Sequence, residues 1–290
     1  MPLPDGLPVV DHHCHLSPHG EGVAAARRFR AAGGTHLFLA TQNYTGSVAR
    51  SLDDYAGQFE TTIRLAARVR ADAGVVAYPV VAPYPVDLVE QARTIGLAEA
   101  EALHRSALDL AGRAVAEGRA VAIGEVGRAH FPVNAAIAAA LDRVLDHALA
   151  VARDARCPAI LHSEDLDAAG YRELATRARG VGLRPERVVK HYARGRVPTP
   201  LRDGLVPSYL AARDLVGEVV GDPAPWFLET DFLDDPRRPG AVLDLATVPR
   251  RARAIAEGTP GGAERLVVPF VESIARVYGL DLEAPRERGP

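Results

Sequence analysis

Eight short, apolar, β-prone runs recur along the chain, and most are separated by stretches with helical periodicity. They are VVDHHCH (9–15), THLFLAT (35–41), GVVAYPVVAP (74–83), AVAIGEVG (120–127), CPAILHSE (157–164), RVVKHYA (187–193), GLVPSYL (204–210) and WFLETDF (226–232). Strands that alternate with helices pair in parallel, because each crossover returns the chain to the end at which it started. Eight such units predict an α/β fold of the TIM (β/α)8 type, a closed eight-stranded parallel barrel. At 290 residues the chain suits one such barrel with extra C-terminal helices. A single domain over 1–290 is therefore expected, with 281–290 as a frayed polar tail.

The connecting segments carry their own punctuation. Residues 20–32 run into Gly33-Gly34, a helix stop, and 51–72 open with Ser51 as N-cap and Asp53 and Asp54 in an acidic first turn. Residues 86–118 hold one long helix or two, with Gly96 as the break, and 134–156 and 167–180 are strongly helical. The Pro/Gly-punctuated connections near 194–203 and 211–222 predict stunted barrel helices, followed by terminal helices over 243–257 and 263–278.

Composition narrows the partners. A formal net charge of −3 provides no global field for nucleic acid or an anionic membrane, though it leaves room for a local basic rim. No apolar run is long enough to span a bilayer, and the N-terminus lacks the features of a signal peptide. Cys14 and Cys157 form no disulfide framework and read as free buried thiols, which fits a cytoplasmic location. No membrane contact and no obligate protein partner are expected.

The sharpest local signal is Asp11-His12-His13-Cys14-His15. Strand alternation puts Asp11, His13 and His15 on one face and His12 and Cys14 on the other. Two imidazoles at one strand end can converge on a cation, but an H-x-H on its own reads equally well as a polar strand end. The other candidates decide between these readings. Glu125, His162, His191 and Asp231 lie at or near the C-terminal ends of the fourth, fifth, sixth and eighth predicted strands. In α/β barrels those ends form the active-site face. Four histidines and two carboxylates suit a pair of divalent cations, Zn²⁺ or Mn²⁺ in preference to Mg²⁺.

The pieces DHHCH (11–15), AIGEVG (122–127), LHSE (161–164), KHY (190–192) and ETD (229–231) together resemble the TatD family of metal-dependent hydrolases within the amidohydrolase superfamily. The match is closest to a poorly characterised branch, on LSPHGEG (16–22), AGGTH (32–36) and GEVGRAHFP (124–132). The resemblance implies that His13 and His15 bind a first metal, that Glu125 bridges two, and that His162 and His191 complete the second site. It further implies that Asp231 contacts the first metal and the attacking water. Some amidohydrolases bridge their metals with a carboxylated lysine. Lys190, the only lysine, neighbours His191 and should face away, and Glu125 already supplies a bridging carboxylate.

On this reading Asp231 and Glu125 are the catalytic carboxylates, and Asp11 and Glu229 are candidate partners for the ligand imidazoles or for nearby backbone. Substrate contacts are expected from Arg128, His130, Ser163 and Glu164, with Arg128 and His130 able to clamp a phosphate oxygen unless Arg128 pairs with a loop carboxylate. Tyr192 and Arg194 follow the sixth strand. His12, His36, His104 and His147 read as structural, and His19 as a solvated loop residue. The expected activity is hydrolysis of a phosphoester, small or nucleic acid, since TatD-like enzymes include deoxyribonucleases. The alternatives are lactone or cyclic-amide hydrolysis or deamination on the same barrel and, last, a metal-binding scaffold without turnover.

Overall fold

The computed structural model describes residues 6–282, so the tail expected at 281–290 lies, apart from Asp281 and Leu282, outside the described residues. The predicted strands form as β1 (Val10–His15), β2 (His36–Ala40), β3 (Val76–Val81), β4 (Ala122–Gly127), β5 (Ala159–His162), β6 (Val188–Ala193) and β7 (Val206–Leu210). The eighth run forms in two pieces, β8 (Phe227–Glu229) and β9 (Phe232–Leu233). All pairings are parallel, in the order β8-β7-β6-β5-β4-β3-β2-β1-β9. Because β8 pairs with β7 and β9 pairs with β1, residues 227–233 close the sheet on itself. The interruption falls at Thr230 and Asp231, where Asp231 takes a left-handed backbone with φ of 50° and leaves the strand path.

That seam is held by side chains as well as by the ladder. Asp11 accepts from the Thr230 amide at 3.1 Å and from its hydroxyl at 2.6 Å. The amides of Asp231 and Asp234 donate to the carbonyls of His13 and His15 at 2.9 and 3.0 Å. Asp234 in turn accepts from the amides of Ser17, Glu21 and Gly22 at 2.9, 2.8 and 2.7 Å, which fixes the loop after β1. A Cβ at Gly20 would sit 2.1 Å from the Asp234 carboxylate, so only glycine permits this wrap.

The helices follow their signals. They are α1 (Val23–Ala31), α2 (Leu52–Ala73), α3 (Asp87–Thr94), α4 (Leu97–Ala116), α5 (Ala135–Asp154) and α6 (Ala168–Gly180). Ser51 and Asp54 make a reciprocal capping box at the start of α2, and Gly96, with φ of 88°, separates α3 from α4. The sixth connection holds only the short turn Thr199–Leu201, and the seventh the stunted α7 (Arg213–Val219). After α8 (Thr247–Gly258), the continuous helix expected over 263–278 is instead α9 (Gly262–Arg265), a π turn at Val268–Glu272 and α10 (Ser273–Tyr278). Pro269 lies at the break, and it lacks the N–H a regular turn needs.

Period-2 alternation distributes the core between two layers. Leu37 and Leu39 of β2 pack outward against Phe29 of α1 and Leu65 and Val69 of α2. Phe38 and Ala40 face inward with Val10, Val80, Ala122, Ile160, Val189 and Val206. Tyr278 of α10 joins this inner layer, with its ring 4.6 Å from Phe38 and 6.0 Å from Phe227. Cys14 and Cys157 are free and buried, as expected. Among the described residues no helix is long and apolar enough to cross a membrane.

Candidate metal centre

Three strands that present candidate ligands each carry one extra residue relative to their neighbour. Between its pairings with Leu37 and Leu39, β1 advances from Asp11 to Cys14, three steps against two. β4 advances from Gly124 to Val126 while β5 moves one step, and β6 from Lys190 to Ala193 while β7 moves two. Such bulges re-aim side chains and often stand beside active sites. Here they let consecutive residues face inward. His12 does so with His13, and His191 and Tyr192 both line the cavity at the barrel mouth. The alternation expected for β1 is corrected accordingly: His12 is not on an outer face but stacks on Phe227 of β8 at 3.9 Å, inside the barrel.

At the mouth the six sequence candidates come together. His13 Nε2 and His15 Nε2 are 3.2 Å apart, with Asp231 Oδ1 at 3.8 and 3.6 Å from them. Glu125 Oε1 lies 2.6 Å from His191 Nε2 and 3.1 Å from His162 Nδ1, and those two nitrogens are 3.1 Å apart. The same carboxylate reaches the first group too, with Oε1 at 3.7 Å from His13 and Oε2 at 3.6 Å from His15. Two donor sets, His13/His15/Asp231 and Glu125/His162/His191, thus share Glu125 as their common neighbour. Around a tetrahedral cation with metal–nitrogen bonds of about 2.0–2.1 Å, ligand nitrogens stand about 3.3 Å from each other. The observed spacings of 3.2 and 3.1 Å meet that requirement, so the donor set fits divalent cations.

The electrostatics agree. Burial alone would raise Glu125, but His191 and His13 hold it well below the usual carboxylate range. Burial likewise opposes charge on His191, yet Glu125 and Glu229 outweigh it and push the imidazole up to about 10. His13 goes the other way: burial and the neighbouring His191 hold it well below its ordinary value. Buried carboxylates thus face crowded imidazoles that cannot all carry protons. A cation at each donor set would supply positive charge to the carboxylates while the imidazoles stay neutral as ligands.

Around this centre the partners are specific. Glu229 Oε1 faces His191 Nδ1 at 3.5 Å and accepts from the Tyr192 amide at 2.6 Å. His162 turns its Nε2 to His130 Nδ1 at 2.8 Å and to the Tyr84 hydroxyl at 3.2 Å. Of the expected substrate contacts, His130, Ser163 and Glu164 line the cavity of about 660 Å³, together with Tyr192 and Arg194. Arg128 is not among the lining residues. Its guanidinium bonds Asp142 and Glu173, each at 2.9 Å, so the ion-pair alternative describes it and the phosphate clamp does not. Asp11 partners Thr230 rather than an imidazole, and burial pushes its carboxyl up to about 8 despite those donors. Lys190 Nζ donates to the carbonyls of Ser163 and His191 at 3.2 and 2.7 Å.

Sequence reasoning missed Tyr84, in the loop after β3, and the roof segment with Leu233, Asp235, Arg237 and Arg238. Tyr84 was open to discovery by the same rule that found the candidate ligands, since it follows a barrel strand at the mouth end. The roof carries no comparable signal.

A closed parallel barrel with a histidine–carboxylate cluster at the C-terminal ends of its strands defines the class, a metal-dependent hydrolase fold. The chain belongs to the TatD family: the model of "TatD related DNase" matches residues 10–279. It is 32% identical, over 98% of this chain and 100% of the relative, to an uncharacterised protein of Methanocaldococcus jannaschii. Among solved structures it is similar to a TatD homologue of Escherichia coli, with a TM-score of 0.62 and 19% identity over 93% of this chain and 98% of that one. It is similar also to a TatD-like protein of Archaeoglobus fulgidus, with a TM-score of 0.59 and 15% identity over 93% of this chain and 100% of that one.

Proposed function

We propose that the chain is a binuclear metal-dependent phosphoesterase. The observation that carries the reading is the pair of donor sets joined by one carboxylate, Glu125. Bound divalent cations would supply Lewis acidity toward the scissile group and toward water. His13 and His15 with Asp231 would hold one ion, and His162 and His191 the other, with Glu125 between them. Asp231 lies at the rim of this cluster, 17% exposed where its partners are nearly sealed, and is the carboxylate best placed to orient water and take up its proton.

Arg194, Arg237 and Arg238 border the same cavity, and guanidinium groups bind phosphate oxygens well. The acids Glu164, Asp165 and Asp235 interleave with them, so the rim forms no continuous basic track. This favours a phosphoester carried on a small molecule or at a strand end over the interior of duplex DNA. A cytoplasmic location without a protein partner fits the reading.

Elemental analysis of purified protein should find about two divalent ions per chain. Bis(4-nitrophenyl) phosphate should be cleaved, and Glu125→Ala and Asp231→Asn should each lower kcat by about 10²–10⁴. Turnover confined to lactones or cyclic amides in the same panel would refute the phosphoesterase assignment.

A further inference from the structure

Behind the metal centre a chain of buried side chains runs from the C-terminal helix to a ligand histidine. The Tyr278 hydroxyl lies 2.7 Å from His12 Nε2, and His12 Nδ1 lies 3.1 Å from Ser208 Oγ. The Ser208 hydroxyl donates to Glu229 Oε2, and the other oxygen of Glu229 faces His191 Nδ1 at 3.5 Å. His191 Nε2 then meets Glu125 Oε1 at 2.6 Å. His12, Ser208 and Glu229 are each 1% exposed or less, so water does not compete for the hydrogen bonds that join those three.

Donor counting gives the chain one direction. A serine hydroxyl has a single hydrogen, and Ser208 gives it to Glu229. Ser208 can therefore only accept from His12, which puts the His12 proton on Nδ1. His12 Nε2 is then the acceptor, and the Tyr278 hydroxyl is its donor. With Oε2 anchored by Ser208 and Oε1 held by the Tyr192 amide, Glu229 can turn neither oxygen away from His191. Glu229 Oε1 stands 3.5 Å from His191 Nδ1, which has no hydrogen-bond partner, so the carboxylate favours a proton there and leaves Nε2 free for a cation at the second donor set.

We propose that His12, locked by Tyr278, is a positioning residue for the second metal site, acting through Ser208 and Glu229 on His191. The proposal rests on the metal-centre reading above. It adds that α10 acts chiefly on the donor set that holds His191: Glu229 also stands near His13, but no chain of hydrogen bonds leads from Tyr278 to His15 or Asp231 among the described residues.

Mn²⁺ titration of metal-stripped protein, followed by calorimetry and electron paramagnetic resonance, tests it. His12→Phe keeps a flat ring on Phe227 and removes both hydrogen bonds. It should weaken the second site about 10–100-fold and the first by clearly less. His15→Ala, as a control, should weaken the first. His12→Asn can place an amide N–H near the Nδ1 position and should recover most of the lost affinity. Tyr278→Phe deletes a single hydroxyl, keeps the packing on Phe38, and should shift the same site in the same direction by less. Unchanged affinity in both His12→Phe and Tyr278→Phe, equal weakening of both sites, or failure of Asn to rescue would each overturn the relay. No Mn²⁺ uptake by the unaltered protein would overturn the metal-centre reading, and the relay with it. Two-site uptake indifferent to His12 would overturn the relay alone.

Discussion

Gly127 ends β4 with φ of 137°, a backbone that L side chains rarely adopt. A Cβ there would stand 2.1 Å from the His162 carbonyl oxygen, which also receives the Arg128 amide at 2.9 Å. The residue therefore sets how near β4 approaches β5, and with it the separation of Glu125 from His162. Gly127→Ala should cost about 1–3 kcal/mol from backbone strain alone, and more from the clash. Urea unfolding would measure the first effect. Metal content should fall in the same variant, because a displaced β5 carries His162 away from Glu125. An alanine variant with wild-type stability and full metal content would contradict this account.

Among the elements, three helices on one side of the barrel meet at a single imidazole. His104 of α4 lies 2.8 Å from Gln91 Oε1 of α3 and 3.2 Å from the Tyr55 hydroxyl of α2. Burial drives its pKa down to about 3, and burial likewise takes His36 of β2 down to about 4. The unfolded chain binds both protons near the ordinary value of 6.5, so more protons are bound unfolded than folded throughout the window below it. Stability should therefore be intact above pH 6.5 and fall as acid is added, by about 2–3 kcal/mol per histidine at pH 4.5. His104→Gln, whose amide can serve the same two partners, should lose correspondingly less between pH 7 and 4.5. Parallel urea-midpoint curves for the two proteins would refute the assignment.

The elements were also where the sequence was most and least legible. β-prone runs and glycine stops located the strands and most helices because period-2 and period-3.6 patterns are local properties. The six mouth residues were legible because barrel topology brings strand ends together whatever their sequence separation. The bulge in β1 was not, since an extra residue leaves the hydrophobic pattern intact while it reverses the facing of His12. For Arg128 the sequence left a phosphate clamp and an ion pair both open, because its partners Asp142 and Glu173 lie on α5 and α6 and nothing near residue 128 announces them. The broken terminal helix was announced by Pro269, whose cost to a regular turn outweighs the favourable residues around it.

For the molecule as a whole, the candidate metal centre draws on four strands and the break between β8 and β9, so ions bound there would report on the entire barrel. A ligand that binds only the folded state adds about 2.7 kcal/mol at a hundredfold excess over its Kd. Removal of metal by a chelator should therefore lower Tm by about 5–10 °C, and added Mn²⁺ should restore it. A Tm indifferent to chelation would show that the six residues hold no ion in solution. The split eighth strand adds a constraint on timing. His13 and His15 are made first, but Asp231 and the β9 segment that pairs with β1 come more than two hundred residues later. During synthesis the early histidines wait for most of the chain to leave the ribosome before their carboxylate arrives. A truncated product that ends before Phe227 would thus lack both the barrel's seam and a complete first donor set.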